Sequence, residues 1–294
     1  MSDAVVLEAG KLRLEIWPHT GGAIAGFTHD GFALMRPTAP GTEQARDLSS
    51  YPLVPFSGRV ANARFTFDGV THSLWRNAVG GPHAIHGEGW VHPWRTAEAT
   101  GTAARIVFDH PGTVPESWPF AFRAEQAFTL SDSALHVTMS VRNTGAKRMP
   151  AGMGLHPFFP RHAGVRLGFD AGSVWLNGAD HLPDAQVAPP PDWRFDPPRM
   201  LAEPKLDNCY AGWTGTTTID WPDAGLGLAM SADPVFGHAV VYTPPGRDHF
   251  AFEPVSHMSD AINRMGTVPD HGLVVLEPGA VLAGIVRFTL RRPA

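Results

Sequence analysis

The sequence predicts an all-β protein, a large antiparallel β-sandwich. Three observations carry that expectation. Short segments of alternating apolar residues recur along the chain, separated by turn signals. Glycine (31 residues) and proline (28) are abundant, which favours many turns over long helices. No stretch shows the apolar spacing of an amphipathic helix of normal length. The 294 residues can enclose a large core. All-β units often reach this size, so residues 1–294 are expected to form a single domain.

Residues 4–36 read as short strands broken at Gly10, Gly21-Gly22 and Asp30-Gly31. The last pair suits a hairpin turn, because glycine accepts a positive φ. Residues 37–50, PTAPGTEQARDLSS, are polar and form a loop. Arg64 to Leu74 reads as a hairpin turning at Asp68-Gly69, and Phe122 to Val141 as the clearest hairpin, turning at Ser131-Asp132-Ser133. Residues 181–200, HLPDAQVAPPPDWRFDPPRM, cannot hold a central strand, since proline has no N–H to give. They are expected to be a long ordered loop pinned by Trp193 and Phe195. Strands resume at 216–221, 225–231, 238–243, 248–253, 272–276 and 281–291.

Hydrophobic residues make up 43% and charged residues 17%, which excludes a disordered chain. The formal charge of -5, with no run of Lys or Arg, argues against a nucleic-acid partner. A single cysteine, Cys209, permits no intrachain disulfide and reads as a small buried hydrophobe. Neither a signal peptide nor a membrane-crossing run is evident, so the expected location is the cytoplasm, with no membrane partner.

Five stretches could carry chemistry. In DHFAFEPVSHMSDAIN (248–263), Phe250 and Phe252 fall on one strand face and Ala251 and Glu253 on the other, with Pro254 expected to end the ladder. A buried carboxylate needs a partner or a cleft. Glu253 is therefore either salt-bridged at a strand end or placed in a cleft as a base. In GMGLHPFF, Pro157 biases His156 toward extended backbone, and Gly152 and Gly154 let another backbone or a ligand come close. His156 is then a proton donor or a hydrogen-bonded core histidine. GPHAIHGEGW sets His83 and His86 in a glycine-rich loop. A ligand-binding histidine fits better there than a metal site, since the spacing is not that of zinc. YPLVPFSGR offers Arg59 as a rigid fork of donors. LDNCYAGW offers Asp207 as a hydroxyl acceptor, or as a turn former, and Trp213 as a surface for a sugar to stack on. Together these residues suit a small polyhydroxylated ligand in a cleft.

In these five stretches, in this order, the sequence resembles the aldose 1-epimerase (galactose mutarotase) family. The resemblance runs through nearly the whole chain. It implies a galactose mutarotase-like β-sandwich that interconverts α and β anomers of an aldose. Glu253 would be the general base and His156 the general acid. Arg59 and His86 would bind the sugar near its ring oxygen, and Asp207 another edge. No metal and no other cofactor is implied, and a bell-shaped pH profile is expected. The chain departs from the family at Gly58, where the family usually has asparagine, which bears on substrate preference.

Three other readings compete. One is a carbohydrate-binding protein without turnover. Another is a mutarotase for a charged sugar, a hexose phosphate or sulfosugar, drawing on Arg64, Arg161, Arg166 or Arg247. The third is a metal-dependent enzyme built on His83, His86, His156 and Glu253. The expected partner is a small aldose, and the expected assembly a monomer or homodimer.

Overall fold

The computed structural model describes residues 4–78, 81–201 and 205–293. The fold is an antiparallel β-sandwich. A four-stranded sheet is formed by Val5–Ala9, Leu12–Trp17, Ala23–His29 and Phe32–Ala33. The main sheet runs laterally from Arg95–Ala99 through Ala103–His110, Phe122–Leu130, Ala134–Asn143, Val281–Arg291, Leu226–Ala232 and Asp207–Trp221. It continues through His238–Tyr242 to His249–Val255, then to the short pieces Gly154–Leu155 and Pro52–Leu53. Among the described residues the only α-helix is Ala261–Arg264, and no helix is long and apolar enough to cross a membrane.

Local turn chemistry sets several registers. Asp30-Gly31 and Asp68-Gly69 both adopt positive φ at both residues, the geometry that matches strand twist in a two-residue hairpin. The 122–141 hairpin pairs Leu130 with Leu135, Phe128 with Val137 and Ala124 with Val141. Phe122, Ala124, Phe128 and Leu130 lie on its buried face. One contiguous apolar core joins Leu7 near the start of the chain to Phe288 near its end.

Two expectations are corrected. The proline-rich excursion is not a loop throughout. Pro183–Val187 and Phe195–Met200 are strands paired to Arg166–Asn177. The second makes few ladder pairs, which a proline-bearing edge strand can tolerate. Phe195 stacks on Phe169 at 5.1 Å, and the Trp193 carbonyl accepts a hydrogen bond from the Tyr210 hydroxyl at 2.9 Å. Nor does Pro254 end its strand, which continues to Val255. On that side the neighbouring chain pairs through Phe158–Pro160 and then through Gly154, leaving a gap between Leu155 and Phe158. Pro254 sits opposite the gap, so its missing N–H forfeits no ladder bond.

Candidate functional site

The gap in the ladder is where the site forms. Glu253 and Ala251 share the strand face opposite Phe250 and Phe252, whose rings belong to the main core. His156 occupies the interrupted stretch of the facing chain. Its backbone N–H donates to the Tyr51 carbonyl at 3.0 Å. Its ring lies between Tyr51 (centroids 4.6 Å) and Phe158 (4.5 Å), which fixes the imidazole plane. The result is a direct contact between His156 Nε2 and Glu253 Oε1 at 3.1 Å. His156 is 6% exposed and Glu253 2%. Glu253 Oε2 and His156 Nδ1 are buried and have no partner in the protein.

Burial sets the electrostatics of the pair. It raises the Glu253 carboxyl well above the usual carboxylate range, with Asp207 adding to the effect and Arg59 opposing it. It lowers the His156 imidazole well below its usual value, with His86 and Arg36 adding to the effect. Across a 3.1 Å contact the two titrations are coupled. In the free protein burial favours the proton on Glu253 and a neutral imidazole.

The other expected residues gather around the pair. His86, at φ 63, accepts the Gly58 N–H on Nδ1 at 3.1 Å. Burial, with Arg59 and His257 adding, pushes its pKa down to about 3. His86 is therefore a neutral ring with its proton on Nε2, an oriented donor. Arg59 donates to Asp207 Oδ2 at 3.3 Å. Arg59, His86, His156, Asp207 and Glu253 all line one cleft of about 480 Å³. His83 does not. Its Nδ1 accepts the Asn62 N–H and its Nε2 donates to the Asp180 carbonyl, so it braces the loop. Among the described residues, no three His, Cys, Asp or Glu side chains gather as a metal-binding group.

Trp213 is a correction. It does not line the cleft: its ring packs on Phe252 at 5.3 Å, and its indole N–H donates to the Thr216 carbonyl. Aromatic lining comes instead from Tyr51, Trp90 and Phe158, and the buried Trp90 indole N–H has no partner in the protein. Trp90 and Tyr51 stand in quoted motifs, but nothing local in the sequence marks their rings as facing a ligand. Cys209 also borders the cleft, with its thiol pushed up to about 12 by burial, hence un-ionised.

The segment after Glu253 positions the site, and its Ser259 also lines the cleft. His257 Nε2 accepts the Ser57 N–H at 3.0 Å, Ser259 Oγ the Arg59 N–H at 2.9 Å, and Asp260 Oδ1 the Ala61 N–H at 2.9 Å. The Asp260 N–H returns a bond to the Arg59 carbonyl at 2.7 Å. Gly58, at φ 63, lies against this clamp: a Cβ there would sit 2.9 Å from Ser259 Oγ. No side chain fits at position 58 without displacing Ser259. Gly152 is similarly closed, since a Cβ would lie 2.0 Å from the His257 ring.

Comparison with known proteins agrees with this geometry. The chain is 32% identical over 287 residues to the uncharacterized protein YphB of Escherichia coli (strain K12), with 93% of each chain covered. The crystal structure of a candidate aldose 1-epimerase from Escherichia coli K12 matches with a TM-score of 0.90 at 30% identity, covering 100% of each chain. A galactose mutarotase-like protein from Clostridium acetobutylicum has the same fold, with a TM-score of 0.87 at 16% identity over 98% of this chain and 95% of that one. The family model for aldose 1-epimerase matches residues 3–289, and with that near-complete match the chain belongs to the aldose 1-epimerase family.

Proposed function

We propose that the protein is a mutarotase, opening and reclosing the ring of an aldose to interconvert its α and β anomers. The observation that carries this reading is the His156–Glu253 contact of 3.1 Å inside a sugar-sized cleft. The anomeric hydroxyl oxygen and the ring oxygen are attached to the same carbon. An acid and a base serving both must therefore be neighbours, as these two are. Glu253 takes the anomeric hydroxyl proton, and His156 donates to the ring oxygen as the C–O bond breaks. Rotation about the C1–C2 bond turns the aldehyde, and reclosure with roles reversed gives the other anomer.

Proton bookkeeping supports the pair. Ring opening converts an ionised Glu253 and protonated His156 into a protonated Glu253 and neutral His156. The site carries one proton throughout, so no net charge is created in a buried place. Opening also ends in the arrangement that burial favours. His86 supplies an Nε2–H, and Arg59 with Asp207 supplies donors and an acceptor for neighbouring hydroxyls. Each positioned proton transfer contributes roughly 10²–10⁴ in rate.

The test is mutarotation of freshly dissolved α-D-glucose and α-D-galactose, followed by polarimetry. Acceleration is expected from the wild type. Glu253→Gln and His156→Gln are each expected to lose at least about 100-fold in kcat. Full activity in the Glu253→Gln variant removes Glu253 from the base role.

A further inference from the structure

Four arginines line the cleft: Arg36, Arg46, Arg59 and Arg247. Arg59 is matched by Asp207. Among the described residues, no carboxylate oxygen lies within ion-pair distance of the other three. Arg64 and Arg161 border separate grooves, and Arg166 donates to the Pro198 carbonyl, so of the arginines suspected from sequence only Arg247 reaches this cleft.

Arg36 is held in one orientation. Its guanidinium lies 3.8 Å over the Phe158 ring. One terminal nitrogen donates to the Arg46 carbonyl at 2.9 Å and to the Leu48 carbonyl. The other donates to His249 Nε2 at 3.3 Å, and the remaining His249 nitrogen donates to Asp248 at 3.0 Å. Arg36 Nε is buried with no partner. A half-buried guanidinium fixed on neutral carbonyls, with two further arginines at the rim, is a positive site in which, among the described residues, no arginine of the three has a direct ion pair and Asp47 and Asp248 act on Arg36 only at longer range. The acids nearby are Asp47, exposed beside Arg46, and Asp248, exposed and engaged with His249.

The position of this cluster has a direction. Phe158 touches both His156 and Arg36, so the cluster lies on the acid side of the reacting pair. Asp207 and Arg59 act on Glu253 instead. His156 faces the ring oxygen in the ring-opening reading. The group nearest Arg36 is then carried by the ring carbon that flanks that oxygen opposite the anomeric carbon.

We propose that Arg36, Arg46 and Arg247 form an anion subsite, and that the substrate is an aldose bearing a negatively charged group on its exocyclic carbon beside the ring oxygen. The orientation, though not the charge, rests on the mutarotase reading. Phosphate, sulfonate and carboxylate share the required chemistry, planar or tripod oxygens that a guanidinium fork can grip.

The experiment uses 1,5-anhydroglucitol, which lacks an anomeric hydroxyl and cannot react. Its binding is compared by titration calorimetry with that of its 6-phosphate, 6-sulfonate and 6-carboxylate forms. At least one anionic form is expected to bind roughly ten- to hundredfold more tightly than the neutral parent. The tightest arm identifies the anion. The preference is expected to shrink in high salt and in Arg247→Gln and Arg36→Gln. Arg247 is exposed at the rim, so that variant carries the test if the Arg36 variant does not fold. Equal binding of neutral and anionic forms, or a preference unchanged in both variants, overturns the proposal. Tight anion binding without turnover of the matching reducing sugar upholds the subsite and overturns the mutarotase reading. Turnover of neutral glucose with no anion preference does the reverse.

Discussion

At the scale of single residues, the proposed chemistry reduces to one proton shared by two buried groups. In the unfolded chain Glu253 ionises at its ordinary value of 4.5 and His156 at 6.5. In the fold the Glu253 value is raised and the His156 value lowered, both by burial. The raised Glu253 contributes stability that is fully present below 4.5 and is lost as pH rises toward its folded value. Glu253→Gln keeps a neutral donor there and loses nothing with pH. Its melting temperature relative to wild type is therefore expected to climb as pH rises above 4.5, measured by thermal melts from pH 4 to 8. A difference that stays constant with pH would mean that Glu253 is not shifted. The same shifts widen the bell expected from sequence. kcat/KM should be level through neutral pH, falling when the pair gains a second proton or loses its only one. A narrow optimum between 4.5 and 6.5 would mean that burial does not shift the pair.

Elements differ in how openly the sequence declares them. The hairpins at Asp30-Gly31 and Asp68-Gly69 were legible because the turn residues dictate the backbone themselves. Phe250, Phe252 and Glu253 were legible because strand alternation is local. The strands within 181–200 were not, because whether a proline-bearing segment pairs depends on the edge it finds, here Arg166–Asn177. Trp213 was misread for a related reason: an aromatic beside a polar motif suits a sugar face or a core, and only packing on Phe252 decides. The segment SDAIN was legible as part of a motif but not as a clamp, because its partners are about 200 positions away. Asp260 is its most demanding member. It holds φ 57 while its Oδ1 accepts from Ala61 N–H and from the Asn263 side chain at 2.8 Å. Asp260→Ala is expected to cost about 1–3 kcal/mol by thermal melts and to lower kcat/KM by loosening Arg59. Asp260→Asn keeps the acceptor and tolerates the same backbone, so it should restore most of both. Identical behaviour of the two variants would remove the clamp from the account.

For the molecule as a whole, the site exists only when distant stretches meet. Arg59, His86, His156, Asp207 and Glu253 come from five segments, and the arginines at the mouth from three places that no motif connects. The order of the motifs made the fold and the two candidate catalytic residues readable, but the charge balance of the cleft is a property of assembly alone. The same interdependence bears on how the chain unfolds. The N-terminal sheet is bound to the rest by several contacts. Ile24 bridges Ser50, the Gln126 side chain donates to the Gly22 carbonyl at 2.8 Å, and the Arg36 N–H donates to the Phe158 carbonyl at 2.8 Å. One apolar core runs from Leu7 to Phe288. We therefore propose that residues 1–294 unfold as one cooperative unit, as a single domain requires. Calorimetry should show one endotherm, and loss of tryptophan fluorescence, far-UV signal and mutarotase activity should coincide with it. Trp90 at the cleft and Trp118 in the core report on different regions, which makes coincidence informative. Two endotherms, or activity lost well before the core melts, would divide the chain into separately stable parts and place the cleft in the weaker one.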